Sequence, residues 1–427
     1  MSLFRKVEGD SALPAEVDVV VIGGGIIGAS TALELAERGL RVALCEKGEI
    51  GAEQSSRNWG WVRRQGRDSA EIPLAIAARE MWAGLRQRIG ADVGYAESGI
   101  LYAAANAREM AKHEAWMEKV RPYGLESRLL AADEMARMLP NSGRKFVGGL
   151  FTAQDGRAEP YAATVAIAEG ARAKGAALLT NCAVRSVETK GGRVSEVVTE
   201  RGRISCNAAL VAAGAWTRLF AGNLGLNFKQ LPVRATVARI EGAGEVPEFA
   251  VGGTDFAFRK RQDGGYSIAV RDANIVPLGI DNLLLTKDFL PAFRTGWREL
   301  QLRLGMPFLQ SLVLQRHWRA DEVTPFERTR IISTAPYGKL PDLALRNAIE
   351  AVPEFVGARI TNAWSGIIDT TPNALPVISP LPVPGLFLAS GFSGHGFGIG
   401  PAAGRLAAEL ITGATPFVDP AAFRFAA

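Results

Sequence analysis

Cysteine and histidine are scarce in this chain of 427 residues, with three of each. Cys45, Cys182 and Cys206 stand in apolar, strand-like surroundings without metal-ligand spacing. That argues against a zinc ribbon or a disulfide-stapled secreted scaffold and leaves buried thiols in a reducing compartment. His113, His317 and His395 are too few and too scattered for a histidine-built metal site, so no metal is expected. No Lys/Arg block occurs, and the net charge of +5 is spread along the chain. Nucleic acid is therefore not an expected partner, although a mildly positive surface favours anionic substrates. The most apolar stretch, 17–47, is interrupted by three successive glycines and by Glu34, Glu37 and Arg38, which excludes a transmembrane reading. The first sixteen residues lack the apolar core of a signal peptide, so the chain reads as cytoplasmic, with peripheral attachment to the inner membrane face left open. Internal repeats and low-complexity tracts are missing too.

What is present is ordinary globular material, 48% apolar and 22% charged, long enough for two or three domains. Everything is organised around VDVVVIGGGIIGASTALELAERGLRVALCEK, residues 17–47. Val17 to Val21 reads as a strand buried on both faces. Gly23, Gly25 and Gly28, spaced by Gly24, Ile26 and Ile27, supply G-x-G-x-x-G. Ala29 to Arg38 reads as a helix stopped by Gly39, and Leu40 to Cys45 as a second strand ending at Glu46. This is a dinucleotide-binding βαβ unit. Gly23 makes the tight turn, Gly25 admits a pyrophosphate and Gly28 lets helix and strand pack closely. The helix N-terminus faces the phosphates, and Glu46 is placed to accept hydrogen bonds from a ribose. No second such fingerprint exists, so no separate NAD(P)H site is visible and the electrons must come from an organic substrate.

The segment after Lys47 is polar, with Ser55, Ser56, Arg57 and Asn58 offering donors to the far side of a pyrophosphate. Trp59 and Trp61 are unusual choices for a solvated loop. Helices are expected at Ser69–Ile89, Ala107–Val120, Ala131–Leu139 and Pro160–Lys174, and strands at Tyr95–Ala103 and Ala208–Ala212. The second of those strands ends in the small-residue turn Ala213-Gly214-Ala215-Trp216. From Leu231 to about Thr361, strands at Arg234–Ile240, Phe256–Lys260 and Tyr266–Val270 precede amphipathic helices, which suggests an inserted second domain. The chain closes on strand Leu386–Ala389, a glycine-rich loop Gly391–Gly400, and a helix expected to start at Pro401.

The N-terminal fingerprint, the VAAGAW turn and the GFSGHGFGIGP loop together resemble the flavoprotein family of D-amino-acid oxidase, which includes glycine oxidase, sarcosine oxidase and D-amino-acid dehydrogenases. The resemblance spans nearly the whole chain. It implies an α/β fold: a discontinuous Rossmann-like FAD-binding domain (1–90, 148–228 and 362–427) and an α+β substrate domain with a mixed sheet (91–147 and 229–361). It also implies that Gly23, Gly25, Ile26, Ile27 and Gly28 hold the pyrophosphate and Glu46 and Lys47 the ribose end. Ser55, Ser56, Arg57, Asn58, Gly60, Trp61 and Val62 line the phosphate, ribityl and ring region, and Val184 faces the adenine. Ala213, Gly214 and Trp216 lie near the ribityl chain, and Gly366, Gly394, His395, Gly396, Phe397, Gly398 and Ile399 beside the isoalloxazine. Covalent-flavin members carry a cysteine before the TP turn or a histidine in the early loop. Here Ala363-Trp364-Ser365-Gly366 and Asn58-Trp59 stand there, so non-covalent FAD is expected. Sarcosine oxidases carry a lysine after SGHGF. Gly398 stands there, which favours a dehydrogenase over an oxidase.

The chemistry so implied is oxidation of the C–N bond of a D-amino acid, glycine-like or N-alkyl amino acid, by hydride transfer to flavin N5, giving an imine that hydrolyses. Oxygen, a quinone or another flavoprotein would take the electrons. His395 and Arg63 are the candidate catalytic residues. A substrate carboxylate wants a bidentate arginine, with Arg63, Arg64, Arg259 and Arg319 as candidates, and Tyr266, Trp318 and Trp364 as walls. Alternatives are a FAD-dependent 2-hydroxy-acid dehydrogenase and a FAD-binding subunit of a larger dehydrogenase.

Overall fold

The computed structural model describes residues 5–296, 300–332 and 335–426. Its first sheet has six strands in the order Val377–Pro380, Leu386–Ser390, Ala208–Val211, Val19–Ile22, Val42–Cys45 and Ala177–Leu179. All neighbours are parallel except the first pair. Val19 to Ile22 are all buried, as a central parallel strand with both faces covered requires. The helix that follows runs Ile26–Glu37 and starts earlier than its apolar pattern suggests, because extended Gly25 serves as its N-cap. Eleven of its twelve residues are buried, since helices Pro160–Ala173 and Gly396–Thr412 pack against it. The contact with the last helix is close: a Cβ on Gly404 would come 2.5 Å from Ser30 Cβ, and one on Gly400 2.9 Å from Ile26 Cγ1.

The last helix departs from its expected start. It begins at Gly396 and carries Pro401 inside rather than in its first turn. Proline costs one hydrogen bond there, to the Phe397 carbonyl, while the Gly398 carbonyl accepts from the Trp82 indole at 2.9 Å.

The second sheet has ten strands. Leu231–Glu241 and Arg359–Thr370 pair antiparallel along nearly their whole length, and Ile100–Ala104, Gly148–Thr152 and Ser127–Ala131 form the far edge. The boundary expected at 362 therefore falls inside a strand of this sheet, and Gly148–Thr152, grouped by sequence with the cofactor domain, is hydrogen-bonded into the second sheet. Helix Leu340–Ala351 covers one face, burying Phe256, Phe258, Tyr266 and Phe355. A three-stranded antiparallel sheet, Val184–Lys190, Arg193–Thr199 and Gly202–Ser205, flanks the first sheet. Among the described residues no helix is long and apolar enough to cross a membrane, and no cluster of His, Cys, Asp and Glu could hold a metal.

Candidate functional site

One cavity opens where the first sheet's parallel strands end. Its floor is the fingerprint turn, Gly23, Gly25, Ile26 and Ile27, with Glu46 and Lys47 beside it. Ser55, Arg57 and Asn58 form one wall, Val184 and the Ala213–Trp216 turn another, and Gly394, Gly396 and Phe397 the far end. The three glycine-bearing segments singled out in the sequence therefore meet around one space. Gly28 lies behind the turn: a Cβ there would sit 2.0 Å from the Gly23 carbonyl oxygen, so it serves helix–strand packing.

The fit to FAD rests on this floor. At φ +112°, Gly23 adopts the left-handed region, and a Cβ on it would approach the Ala212 carbonyl oxygen to 2.4 Å. A Cβ on Gly25 would lie 3.1 Å from Ser55 Oγ, where a phosphate needs backbone. The first-turn N–H groups of Ile27 and Gly28 lack a helical acceptor four residues back, as at any helix start, so they can face anionic oxygen. Ser55 Oγ accepts from Ile26 N at 2.9 Å. The Glu46 carboxylate holds the turn itself, accepting from Gly24 N at 2.7 Å and Gly48 N at 2.8 Å. Burial pushes its carboxyl up, against the pull of Lys47 and those two amides. Lys47 Nζ pairs with Glu53 at 3.1 Å and lies 4.7 Å from the Trp216 ring centroid.

Other residues assigned to the cofactor have different contacts. Ser56 is buried, its hydroxyl donating to the Glu53 carbonyl. A Cβ on Gly60 would meet the Ala158 carbonyl oxygen at 2.5 Å, so its bareness serves the Arg259 side of the turn. Trp61 and Val62 pair with Gly156–Arg157, a Cβ on Gly366 would strike Gln54 Oε1, and Ile399 is core. None of these lines the cavity.

The substrate candidates fare differently. Arg259 is buried in a bidentate pair with Glu159, at 2.7 and 3.0 Å, and also donates to the Trp59 carbonyl. Arg64 is held by Asp155 at 3.0 Å, and Arg319 is a surface residue paired with Asp321 and Glu322. Three of the arginines proposed from sequence thus already hold carboxylates of this chain. Tyr266 packs edge-on against Phe355, and the Trp364 indole donates to the Arg57 carbonyl at 3.1 Å; both are core.

The ring region gathers His395 and Arg63, which the sequence singled out, with residues that it did not. His395 Nδ1 lies 3.1 Å from Oε2 of the buried Glu71. Burial, and then the Arg67 guanidinium, hold the imidazole down to about 4, against the opposing pull of Glu71. For Glu71 burial pushes upward, but the His395 hydrogen bond and the nearby Arg67 and Arg63 hold it below the usual carboxylate range. Arg67 is 3% exposed, and burial, reinforced by Arg63, lowers it to about 9. Its Nη2 lies 3.6 Å from where a Gly398 side chain would begin. Next to it, Arg271 lies over the Tyr102 ring at 4.3 Å and Arg63 at 5.8 Å. Neither arginine has a carboxylate within salt-bridge distance among the described residues; Arg63 donates to the Gln65 carbonyl and Arg271 to that of Gly253, at 3.4 Å. Arg67, Glu71 and Arg271 escaped notice because charged residues at helical or strand spacing look like any solvated face. Only the fold shows that Arg67 and Glu71 are buried and that Arg271 lies over Tyr102.

The model of a family described as FAD dependent oxidoreductase matches residues 18–410. Glycine oxidase of Geobacillus kaustophilus is 27% identical over 92% of this chain and 92% of that protein. Sarcosine oxidase subunit beta of Rhizobium meliloti is 24% identical over 95% of this chain and 87% of its own. Among solved structures, L-amino acid deaminase from Proteus myxofaciens, in complex with anthranilate, superposes with a TM-score of 0.95 at 31% identity, covering 99% of this chain and 96% of that one.

Proposed function

Since the chain belongs to the FAD-dependent oxidoreductase family of glycine oxidase, sarcosine oxidase and amino acid deaminases, we propose that it oxidises the C–N bond of an α-amino acid, yielding an imino acid that water converts to a 2-oxo acid and ammonia. The observation that carries this reading is the pair Arg63 and Arg271 against Tyr102, two cations without a carboxylate of their own among the described residues. A guanidinium fork matches a substrate carboxylate bidentately, and Tyr102 and Trp61, 6.0 Å apart, supply an apolar wall. FAD, bound non-covalently by the floor residues, supplies the acceptor for the hydride on the α-carbon. The first turn of the Gly396–Thr412 helix presents backbone N–H groups and the positive end of its dipole to negative charge developing on that side. The likeness to the Proteus deaminase over 99% of the chain favours an L-amino acid over glycine or an N-alkyl substrate.

For the acceptor, the reading is a quinone at a membrane surface rather than oxygen. Among the described residues, eleven of the fifteen exposed large apolar side chains lie between Leu283 and Leu314. Asp281 is paired with Arg218 and Arg316, and Asp288 with Lys229. Lys287, Arg294 and Arg303 stay exposed, a pattern suited to peripheral attachment to anionic lipid. The test is anaerobic stopped-flow bleaching of the flavin with L- and D-amino acids, N-methyl amino acids and 2-hydroxy acids. Bleaching by hydroxy acids alone would sink the amine reading. Reoxidation in air as fast as turnover would sink the quinone.

A further inference from the structure

His395 sits at the N-terminal edge of the last helix, between Gly394 and Gly396, both of which line the cavity. Its one side-chain hydrogen bond among the described residues is to Glu71, the last residue of the short 3₁₀ turn Ser69–Glu71. Asp68 caps that turn, accepting from Ala70 N at 2.9 Å, so the backbone that carries Glu71 is itself fixed. The carboxylate is wholly buried, and its second oxygen, Oε1, has no partner among the described residues. An ionised carboxylate can only accept. The proton in the Glu71–His395 bond therefore belongs to Nδ1. A neutral imidazole protonated at Nδ1 keeps its lone pair at Nε2. Were the ring an imidazolium, Nε2 would be a donor and could accept nothing. The cations of Arg67 and Arg63, which approach from the same segment, oppose that second proton. Arg67 also leaves Nη1 without a partner among the described residues.

We propose that Glu71 is a positioning residue of the reaction: by accepting the Nδ1–H of His395 it fixes one tautomer and orients the ring, leaving Nε2 as an acceptor for an N–H of the substrate's amino group. The assignment rests on the amine reading given above. It explains why a carboxylate is buried here without an arginine of its own. It also gives the His395 ring a stated orientation in place of mere loop filling, and it sets an anchor for the amine besides the two arginines that would take the carboxylate. An α-amino acid would then be gripped at both ends, which orients its α-hydrogen.

The chain has only three histidines, so the full-length, FAD-loaded protein labelled with ¹⁵N-histidine gives three ring patterns, and His395→Gln identifies the one that matters. In the unsubstituted protein the His395 ring should be protonated at Nδ1 between pH 6 and 8. Glu71→Ala should move it toward the Nε2–H form and lower kcat/KM on the order of 10²-fold. Glu71→Gln, whose amide oxygen can still accept from Nδ1, should keep the tautomer and recover most of the rate. An Nε2–H ring in the unsubstituted protein, or a tautomer indifferent to Glu71→Ala, overturns the positioning while leaving the amine reaction standing. If no amine bleaches the flavin although the Nδ1–H form is in place, the amine is lost as the ligand of Nε2. Should Glu71→Ala fail to fold, the spectra of the unsubstituted and Glu71→Gln proteins decide alone.

Discussion

Gly28→Ala is the sharpest perturbation of the cofactor site, because its effect is set by backbone. The added Cβ would lie 2.0 Å from the Gly23 carbonyl oxygen and 3.2 Å from Val21 Cγ1. The turn must therefore retreat by about 1 Å or more to restore van der Waals contact. No side chain can rotate out of the way, since the obstacle is a peptide of the fingerprint turn continuing the strand Val19–Ile22. Overpacking costs about 1–3 kcal/mol, and a rigid obstacle belongs at the upper end. The same displacement moves the turn under the pyrophosphate, so FAD should bind ~10–100-fold more weakly, a further ~1.4–2.7 kcal/mol. Gly222 is the control: it lies in the helix Thr217–Asn223 with nothing within 4 Å of an added Cβ. Gly222→Ala should be neutral or stabilise by about 0.4–1 kcal/mol. Denaturant titration of the apo-protein gives the stability term, and quenching of flavin fluorescence gives the binding term. The reasoning is refuted if apo Gly28→Ala unfolds with the stability of the unsubstituted chain and takes up FAD equally well.

Three further outcomes follow from the site and its surroundings. Arg271→Met should raise KM for amino acids on the order of 10²-fold, leave FAD content unchanged, and hardly affect an amine without a carboxylate; equal loss on both substrates contradicts a carboxylate anchor. Because burial and Arg67 hold His395 down to about 4, the unfolded chain binds a proton there that the folded chain refuses. Stability should therefore fall by about 2 kcal/mol as pH drops from ~6.5 to ~4, a loss that His395→Gln removes in acid unfolding curves. Glu71, held below the usual range, adds its own loss below about 4.5. Leu304 and Val313 are 73% and 84% exposed, so replacing both with serine should change stability by within about 0.5 kcal/mol yet abolish flotation with anionic vesicles; retained flotation rules this face out as the lipid contact.

The cofactor half was legible because its chemistry is local. A parallel strand, a glycine turn and a helix start announce themselves within thirty residues, and the residues that touch the cavity floor are those the spacing names. Gly25 and Glu46 are recognisable before any fold is known. The substrate half was not, because its members meet only across the second sheet. Arg63 was named from the sequence, but Arg67 and Glu71 of the same segment were not, nor Tyr102 from the far sheet edge, nor Arg271 just past the strand Tyr266–Ala269. Arg259 illustrates the converse: its partner is Glu159, 100 positions away, which no local spacing reveals. Pro401 misled for a different reason, since a proline in the sixth helical position obeys no start rule once glycines relieve the crowding.

The strand Arg359–Thr370 belongs by pairing to the second sheet, yet its end serves the first. Asp369 accepts from Gly391 N at 2.8 Å and from Phe392 N at 3.3 Å, and its carbonyl takes Ser393 N at 2.9 Å. One continuous ribbon thus braces the glycine loop from the sheet that carries Tyr102. Cofactor seat and substrate wall share a girder, so a cut between them should leave neither half able to stand, and filling one should stiffen the other.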